Sequence, residues 1–356
     1  MKKIIKIYYT MAAVCAAAVL TAGCSAPQPK TEEAKEDQET VTQAEESESV
    51  SESRAAGLPF TYSAYDLDGT EHVQTIDQVP QKVITNNQTS TELLLKLGLG
   101  DKIIATVAKD NPTTDDLAAA YDAIPVLADK RDISKEKVVG MEPDIVVGRV
   151  KSFTPETLGS VSDLNAMGIA AYTQEATRMD QDVTMDSIIE DIRNIGRIFQ
   201  KEDQAEKMAE ELTARLAATE ERLKSVEGEP LKVLLMVNYQ DGSFGGYGNN
   251  ASLQKDMLTR LHAVNVLEKG GSALSAENLI SMNPDVILYV KGTHNEDADE
   301  NAVESMLSND VIQSVKAIQN KKVLTVLYND LMGGGYRTFD CMEALADFLY
   351  PETANK

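Results

Sequence analysis

Cations, aromatic rings and amides fall where strands should end. Arg149, Lys151 and Phe153 follow the aliphatic run Asp144-Ile-Val-Val-Gly148, and Tyr239, Phe244 and Tyr247 follow the run beginning at Lys232. Lys291 closes Val286-Ile-Leu-Tyr-Val290, Tyr336 and Arg337 come after Lys321–Leu327, and Asn86, Asn87 and Gln88 come after Lys82–Thr85. In open α/β sheets ligands gather beyond the carboxyl ends of the strands, so these side chains are candidate ligand contacts. Their chemistry is non-covalent recognition. The permanently charged forks of Arg149 and Arg337, with Lys291, would meet an anionic solute, while Tyr239, Tyr247 and Tyr336 would offer flat contact faces. A plain structural role competes in each case: packing for a strand-end tyrosine, pairing with a neighbouring acid for an arginine.

Groups that could make or break bonds are scarcer. His72, His262 and His294 sit in a ribbon, a helix and an acidic loop and share no metal-ligand spacing. Gly246, Gly248 and Ala251, with Glu268 about twenty residues on, satisfy a loose dinucleotide fingerprint. No lysine-bearing phosphate loop, Ser-His-Asp set or metal pair accompanies it. The expectation is a binding protein without catalysis, resident metal or cofactor.

The elements that must position these residues repeat. Glu136 to Val147 spells EKVVGMEPDIVV and Glu277 to Leu288 spells ENLISMNPDVIL. In each copy an apolar helical face (Val138, Val139, Met141; Leu279, Ile280, Met282) is stopped by Pro143 or Pro284. The aliphatic run that follows suits a parallel strand covered on both sides. Two such units, with alternating strand and helix signals around each, predict an α/β fold of two similar lobes with mainly parallel sheets. An Asp68-Gly69 hairpin opens the first lobe. Between the copies, Ile188, Ile192, Ile195 and Phe199, then Met208, Leu212, Leu216 and Leu223, mark a helical connector broken near Lys201–Asp203. Its second part, about 24 residues at 1.5 Å each, would reach roughly 36 Å.

The ends and the charge set the location. Lys2, Lys3 and Lys6, an Ala- and Val-rich stretch and Leu20-Thr21-Ala22-Gly23-Cys24 read as an export signal over 1–23 with Cys24 as a lipidation residue. Residues 24–57, rich in Glu, Ser, Thr and Gln, read as a disordered acidic tether. The first lobe then spans 58–183, the connector 184–228 and the second lobe 229–356. The formal charge of −23 falls to −26 once the three signal lysines are removed, which argues against nucleic acid as a partner. Of the three cysteines, Cys15 lies in the signal and Cys24 at its end, leaving Cys341 with no intrachain disulfide partner.

TSTELLLKLGLGDKIIATVA, KEKVVGMEPDIVVG, the long central helix, AENLISMNPDVILYV and IQNKKVLTV, in this order from about Lys82 to Pro351, resemble the substrate-binding lipoproteins of iron-complex, haem and cobalamin ABC importers. The resemblance implies two α/β lobes joined by one long interlobe helix and a ligand held in the shallow cleft between them. It also implies delivery to a permease with its ATPase, by a monomer lipid-anchored on the extracytoplasmic face of the cell membrane. Glu136 and Glu277, each seven residues before its proline, match the family's permease-docking acids; as bare sequence they are equally helix N-terminal acids favoured by the macrodipole. Val147-Gly148-Arg149 is similar to the strand-end Gly-Arg of siderophore receptors, which implies an iron-siderophore-like ligand. The chain has no Trp, unlike the cobalamin-binding members with indole contacts, and a haem would need His, Met or Tyr as axial donor. Haem and corrinoids are the alternative ligands.

Overall fold

The computed structural model describes residues 57–128 and 132–354. The expected signal over 1–23, Cys24 and the tether up to residue 56 lie outside them.

Strand pairs and crossovers follow the alternation in the sequence. After the antiparallel ribbon of β1 (Phe60–Tyr65) and β2 (Glu71–Ile76) comes a parallel sheet. Its strands are β3 (Val83–Thr85), β4 (Ile103–Val107), β5 (Val126–Ala128), β6 (Ile145–Gly148) and β7 (Ala170–Thr173), in the order β5-β4-β3-β6-β7. Its helices are α1 (Gln88–Lys96), α2 (Asp115–Asp122), α3 (Lys135–Val139) and α4 (Val161–Ala166). The connector is not one rod. α5 (Met185–Ile198) and α6 (Glu202–Leu223) are separate helices folded on each other, with Gln200 in the left-handed region at φ 53° between them.

The second lobe is built on β8 (Leu231–Gln240), β9 (Ser243–Tyr247), α7 (Ser252–Arg260), β10 (Ala263–Asn265), β11 (Gly271–Leu274), α8 (Ala276–Met282) and β12 (Val286–Lys291). It continues through α9 (Glu296–Asp299), α10 (Ala302–Ser308), α11 (Lys316–Gln319), β13 (Val323–Leu327), α12 (Tyr328–Met332) and α13 (Arg337–Leu349). The sheet runs β11-β9-β8-β12-β13, with β10 also on β8. β10, β12 and β13 run parallel to their neighbours, and β8-β9-β11 is antiparallel. The glycines of the dinucleotide-like stretch therefore belong to a hairpin strand. Asp241 (φ 49°) and Gly242 (φ 84°) both take positive φ at the β8–β9 turn, as a tight hairpin demands, and a Cβ on Gly246 would press on Leu267.

Successive strand residues bury into different cores. Val83, Ile145, Val233, Leu235, Val286 and Leu288 point into one cluster shared by both lobes, together with Ile188, Ile192 and Ile195 of α5 and Leu212 and Leu216 of α6. Their neighbours Ile84 and Val146 fill a separate core of the first lobe, and Leu234 and Ile287 a separate core of the second. Each central strand is thus covered on both faces, the reason its sequence is continuously apolar.

The repeated Pro-Asp has the same bonds in both lobes. Asp144 donates its backbone N–H to the Lys82 carbonyl at 2.8 Å, and its carboxylate accepts the Lys82 N–H at 2.9 Å. Asp285 does the same with Lys232, at 2.8 and 3.0 Å. Glu142 and Asn283, just before each proline, are both left-handed, at φ 48° and 43°.

Candidate functional site

The carboxyl ends of β3 and β4 face those of β12 and β13 across a seam of amides and hydroxyls. Asn87 caps α1, accepting the Ser90 N–H at 2.7 Å and donating to Gln174 at 2.6 Å. One turn on, the Thr89 hydroxyl lies 3.0 Å from Asn329 Oδ1 and 3.1 Å from the Gly333 carbonyl. Asn111 donates to the Lys291 carbonyl at 3.0 Å and accepts the Asn329 N–H at 2.8 Å, and the Thr293 N–H donates to the Asp110 carbonyl at 2.9 Å. The Gly333-Gly334-Gly335 run is pressed into the first lobe: a Cβ on Gly335 would overlap Thr89 Cγ2, and one on Gly333 would overlap the Asn329 carbonyl.

Two arginines cross the seam in different company. Arg337 donates to Glu92 at 2.9 Å and to the Pro112 carbonyl at 3.2 Å, and its other terminal nitrogen is 2.5 Å from Asp330. Glu92 is 1% exposed, so its charge is held by Arg337, the Thr113 hydroxyl at 2.7 Å and the Gln88 amide at 2.8 Å. Burial raises the Asp330 carboxyl above its ordinary range, with Arg337 opposing. Arg149, at the end of β6, donates to the Tyr328 hydroxyl at 3.0 Å and to the carbonyls of Met332 and Gly333 at 3.0 and 3.3 Å. These acceptors are all uncharged. Burial alone would lower its pKa; Tyr328 and Asp110 outweigh that and leave it raised.

Of the residues expected from the sequence, Arg149, Arg337, Asn87 and Lys291 meet at this seam, Lys291 through its carbonyl. Tyr247 adjoins it, its phenol held above the ordinary pKa by burial and then by Tyr328, with Arg149 acting against the rise. Tyr336 is buried, with Lys96 Nζ 5.5 Å from its ring centre. Phe153 and Tyr239 are instead core residues, packed inside the first and second lobes, and Lys151 is exposed. Glu136 and Glu277 stand exposed at the second position of α3 and α8. Glu277 accepts the Ser275 hydroxyl at 2.8 Å; Glu136 is held below the usual carboxylate pKa by its own N–H and Ser134.

Sequence reasoning did not single out Thr89, Glu92, Asn111, Tyr328 and Asn329. The only local signal was the triple glycine before Tyr336.

Beside the seam, between the β8–β9 turn and residues 293–298, lies an open cavity of about 750 Å³. Asn238, Gln240, Asp241, His294, Asn295 and Glu296 line most of it. The His294 ring meets Tyr328 edge-on with centroids 4.9 Å apart, and its Nδ1 is 3.9 Å from Asp110. His294 thus sits between the cavity and the Tyr328 that receives Arg149. Among the described residues no group of three or more His, Cys, Asp or Glu is placed to hold a metal ion. What this arrangement can do is hold a small molecule by hydrogen bonds from second-lobe residues beside the seam, within the volume range of ordinary ligand pockets.

Comparison with known proteins gives the same picture. Residues 83–326 match the periplasmic binding protein family. An uncharacterized ABC transporter substrate-binding lipoprotein of Bacillus subtilis, YvrC, is 23% identical over 96% of each chain. A cobalamin-binding protein of Halobacterium salinarum is 22% identical over 97% of this chain and 85% of its own. The ferric-anguibactin-binding protein FatB of Vibrio anguillarum is 23% identical over 70% of this chain and 76% of its own. A periplasmic binding protein crystal structure from Veillonella parvula superposes with a TM-score of 0.71 at 27% identity, covering 83% of this chain and 92% of that one.

Proposed function

This chain belongs to the periplasmic binding protein family, and on that premise we propose that it is the extracytoplasmic receptor of an ABC importer, taking an iron-siderophore-like chelate at the lobe boundary. The observation that carries the reading is the cavity of about 750 Å³ at the carboxyl ends of β8 and β12, beside the seam. Its lining comes from second-lobe loops at the carboxyl ends of their strands, where ligands of open α/β sheets gather, and His294 in that lining lies 3.9 Å from Asp110 of the first lobe. The ferric-anguibactin-binding relative supports the ligand class, and the substrate-binding lipoprotein relative supports anchoring through Cys24. The receptor works as a monomer that binds and hands over, with Glu136 and Glu277 orienting it on the permease. Charge of this kind sets register more than affinity.

A second ligand class has its own observation. His294, edge-on to Tyr328 beside the cavity, offers the imidazole or phenol donor that haem would need, and a corrinoid is favoured by the cobalamin-binding relative. The test is quenching of tyrosine fluorescence in the full-length protein, solubilised in detergent, by a ferric hydroxamate, a ferric catecholate, haem and cobalamin. Saturable quenching by a ferric chelate supports the siderophore reading; saturation by haem or cobalamin alone replaces it with the second; no saturable response to any of them removes the receptor reading.

A further inference from the structure

We infer that the solute taken at this boundary is a neutral or cationic chelate, with hydrogen-bonding amide or hydroxyl groups on its periphery, and not a polyanionic one. The inference rests on the receptor reading above and concerns the charge class of its ligand.

Two of the three cations expected to face an anion, Arg337 and Arg149, are turned elsewhere. Arg337 is taken up by Glu92 and Asp330 at 2.9 and 2.5 Å. Arg149 spends its terminal nitrogens on Tyr328 and on two carbonyls of the second lobe. Lys109, beside Asp110, is 2.5 Å from Asp122, and Lys151 is exposed at the end of β6. Among the described residues, no lysine or arginine lines the cavity.

Carboxylates surround the same space. Asp241, on the β8–β9 turn, and Glu296, at the start of α9, both line it. His294, the one basic side chain in the lining, has Asp110 at 3.9 Å. Behind the wall Asp299, 5% exposed, accepts the Tyr289 hydroxyl at 2.7 Å and the Gly292 N–H at 3.0 Å. Carboxylates on the rim of a cavity with protein at its back focus a negative potential into it, and a chain of formal charge −23 adds to that field. The remaining lining, Asn238, Gln240, Asn295, Ser243 and Ser272, supplies both donors and acceptors to neutral polar groups.

One ferric trihydroxamate with three chain ends gives the test: a free ammonium, its neutral acetamide, and its anionic succinamate. Binding to the full-length protein in detergent is measured by tyrosine quenching at low and at physiological salt. The cationic form should bind at least about tenfold more tightly than the anionic form at low salt, with the gap narrowing as salt screens it. In Asp241→Asn with Glu296→Gln, both exposed positions, the order should flatten to within about twofold. Tightest binding by the succinamate, or by a trianionic ferric catecholate, overturns the inference and leaves the receptor reading standing. An unchanged order in the double variant overturns the role of these carboxylates. Absence of binding by every chelate, haem and cobalamin included, removes the receptor reading and the inference with it.

Discussion

Arg337 and Glu92 make a pair that is costly to break. Both lie inside the seam, and removing Arg337 strands the Glu92 charge away from water, whereas removing Glu92 leaves Arg337 to Asp330. Arg337→Ala should lower stability by about 3 kcal/mol, read as a drop in the denaturant midpoint at unchanged slope. Replacing both by apolar residues of similar volume should recover a good part of it. Asp191 is a different buried acid. It sits on α5, accepts the Tyr172 hydroxyl and the Glu175 N–H at 2.7 Å each and the Ala176 N–H at 3.0 Å, and burial pushes its pKa up to about 7 against those bonds. The fold therefore holds a proton on Asp191 that the unfolded chain releases near pH 4. Its contribution to stability is full below that pH and is lost as pH rises toward 7, with a slope of at most about 1.4 kcal/mol per unit. Asp191→Asn should remove that slope from a plot of unfolding free energy against pH. Neither residue was legible in the sequence. Arg337 could be seen as a cation near a strand end, but its partner is 245 positions away, and nothing local distinguishes Glu92 from the solvated acids of any helix.

Close approach at the seam works through the glycine run after α12 and through α1. Gly335→Ala should spread the lobes because its Cβ would overlap Thr89 Cγ2. Thr89→Ser deletes that methyl while keeping the hydroxyl that faces Asn329 and Gly333. Hydrogen exchange at Asn329 and Thr293 should rise in Gly335→Ala and return toward the parent in the double variant; failure of the serine to restore it would point to backbone conformation as the cause. At this scale the sequence was more informative. The ribbon around Asp68-Gly69, the strands at Lys82–Thr85 and Lys102–Ala108 and the break near Lys201 all appear in the fold. Apolar pattern reports how an element is buried, and β3, apolar without a break, is buried on both faces. The stretch Ser243–Tyr247 was misleading because glycine marks both tight loops and closely packed strands; β9 is the latter. The connector divides where its spacing placed the break, with left-handed Gln200 reversing the chain; that the second helix folds back on the first is what apolar spacing does not encode.

The two-lobed plan was visible as a repeat because both copies must solve one problem, a helix delivering a strand into a sheet covered on both faces. The contacts across the seam were not, since they join residues whose partners lie on the other lobe. At the scale of the whole receptor, Glu136 and Glu277 carry a prediction that ligand affinity does not share. Glu136→Ala with Glu277→Ala should cut uptake by at least about tenfold in cells while leaving chelate affinity within about twofold. Parallel loss of affinity would move these acids from docking to structure. The opposite outcome, intact uptake, would leave them as helix N-terminal acids. The paired clips of Asp144 on Lys82 and Asp285 on Lys232, alike to within 0.1 Å, lock the strand after each Pro-Asp in register with its neighbour, Ile145 beside Val83 and Val286 beside Val233.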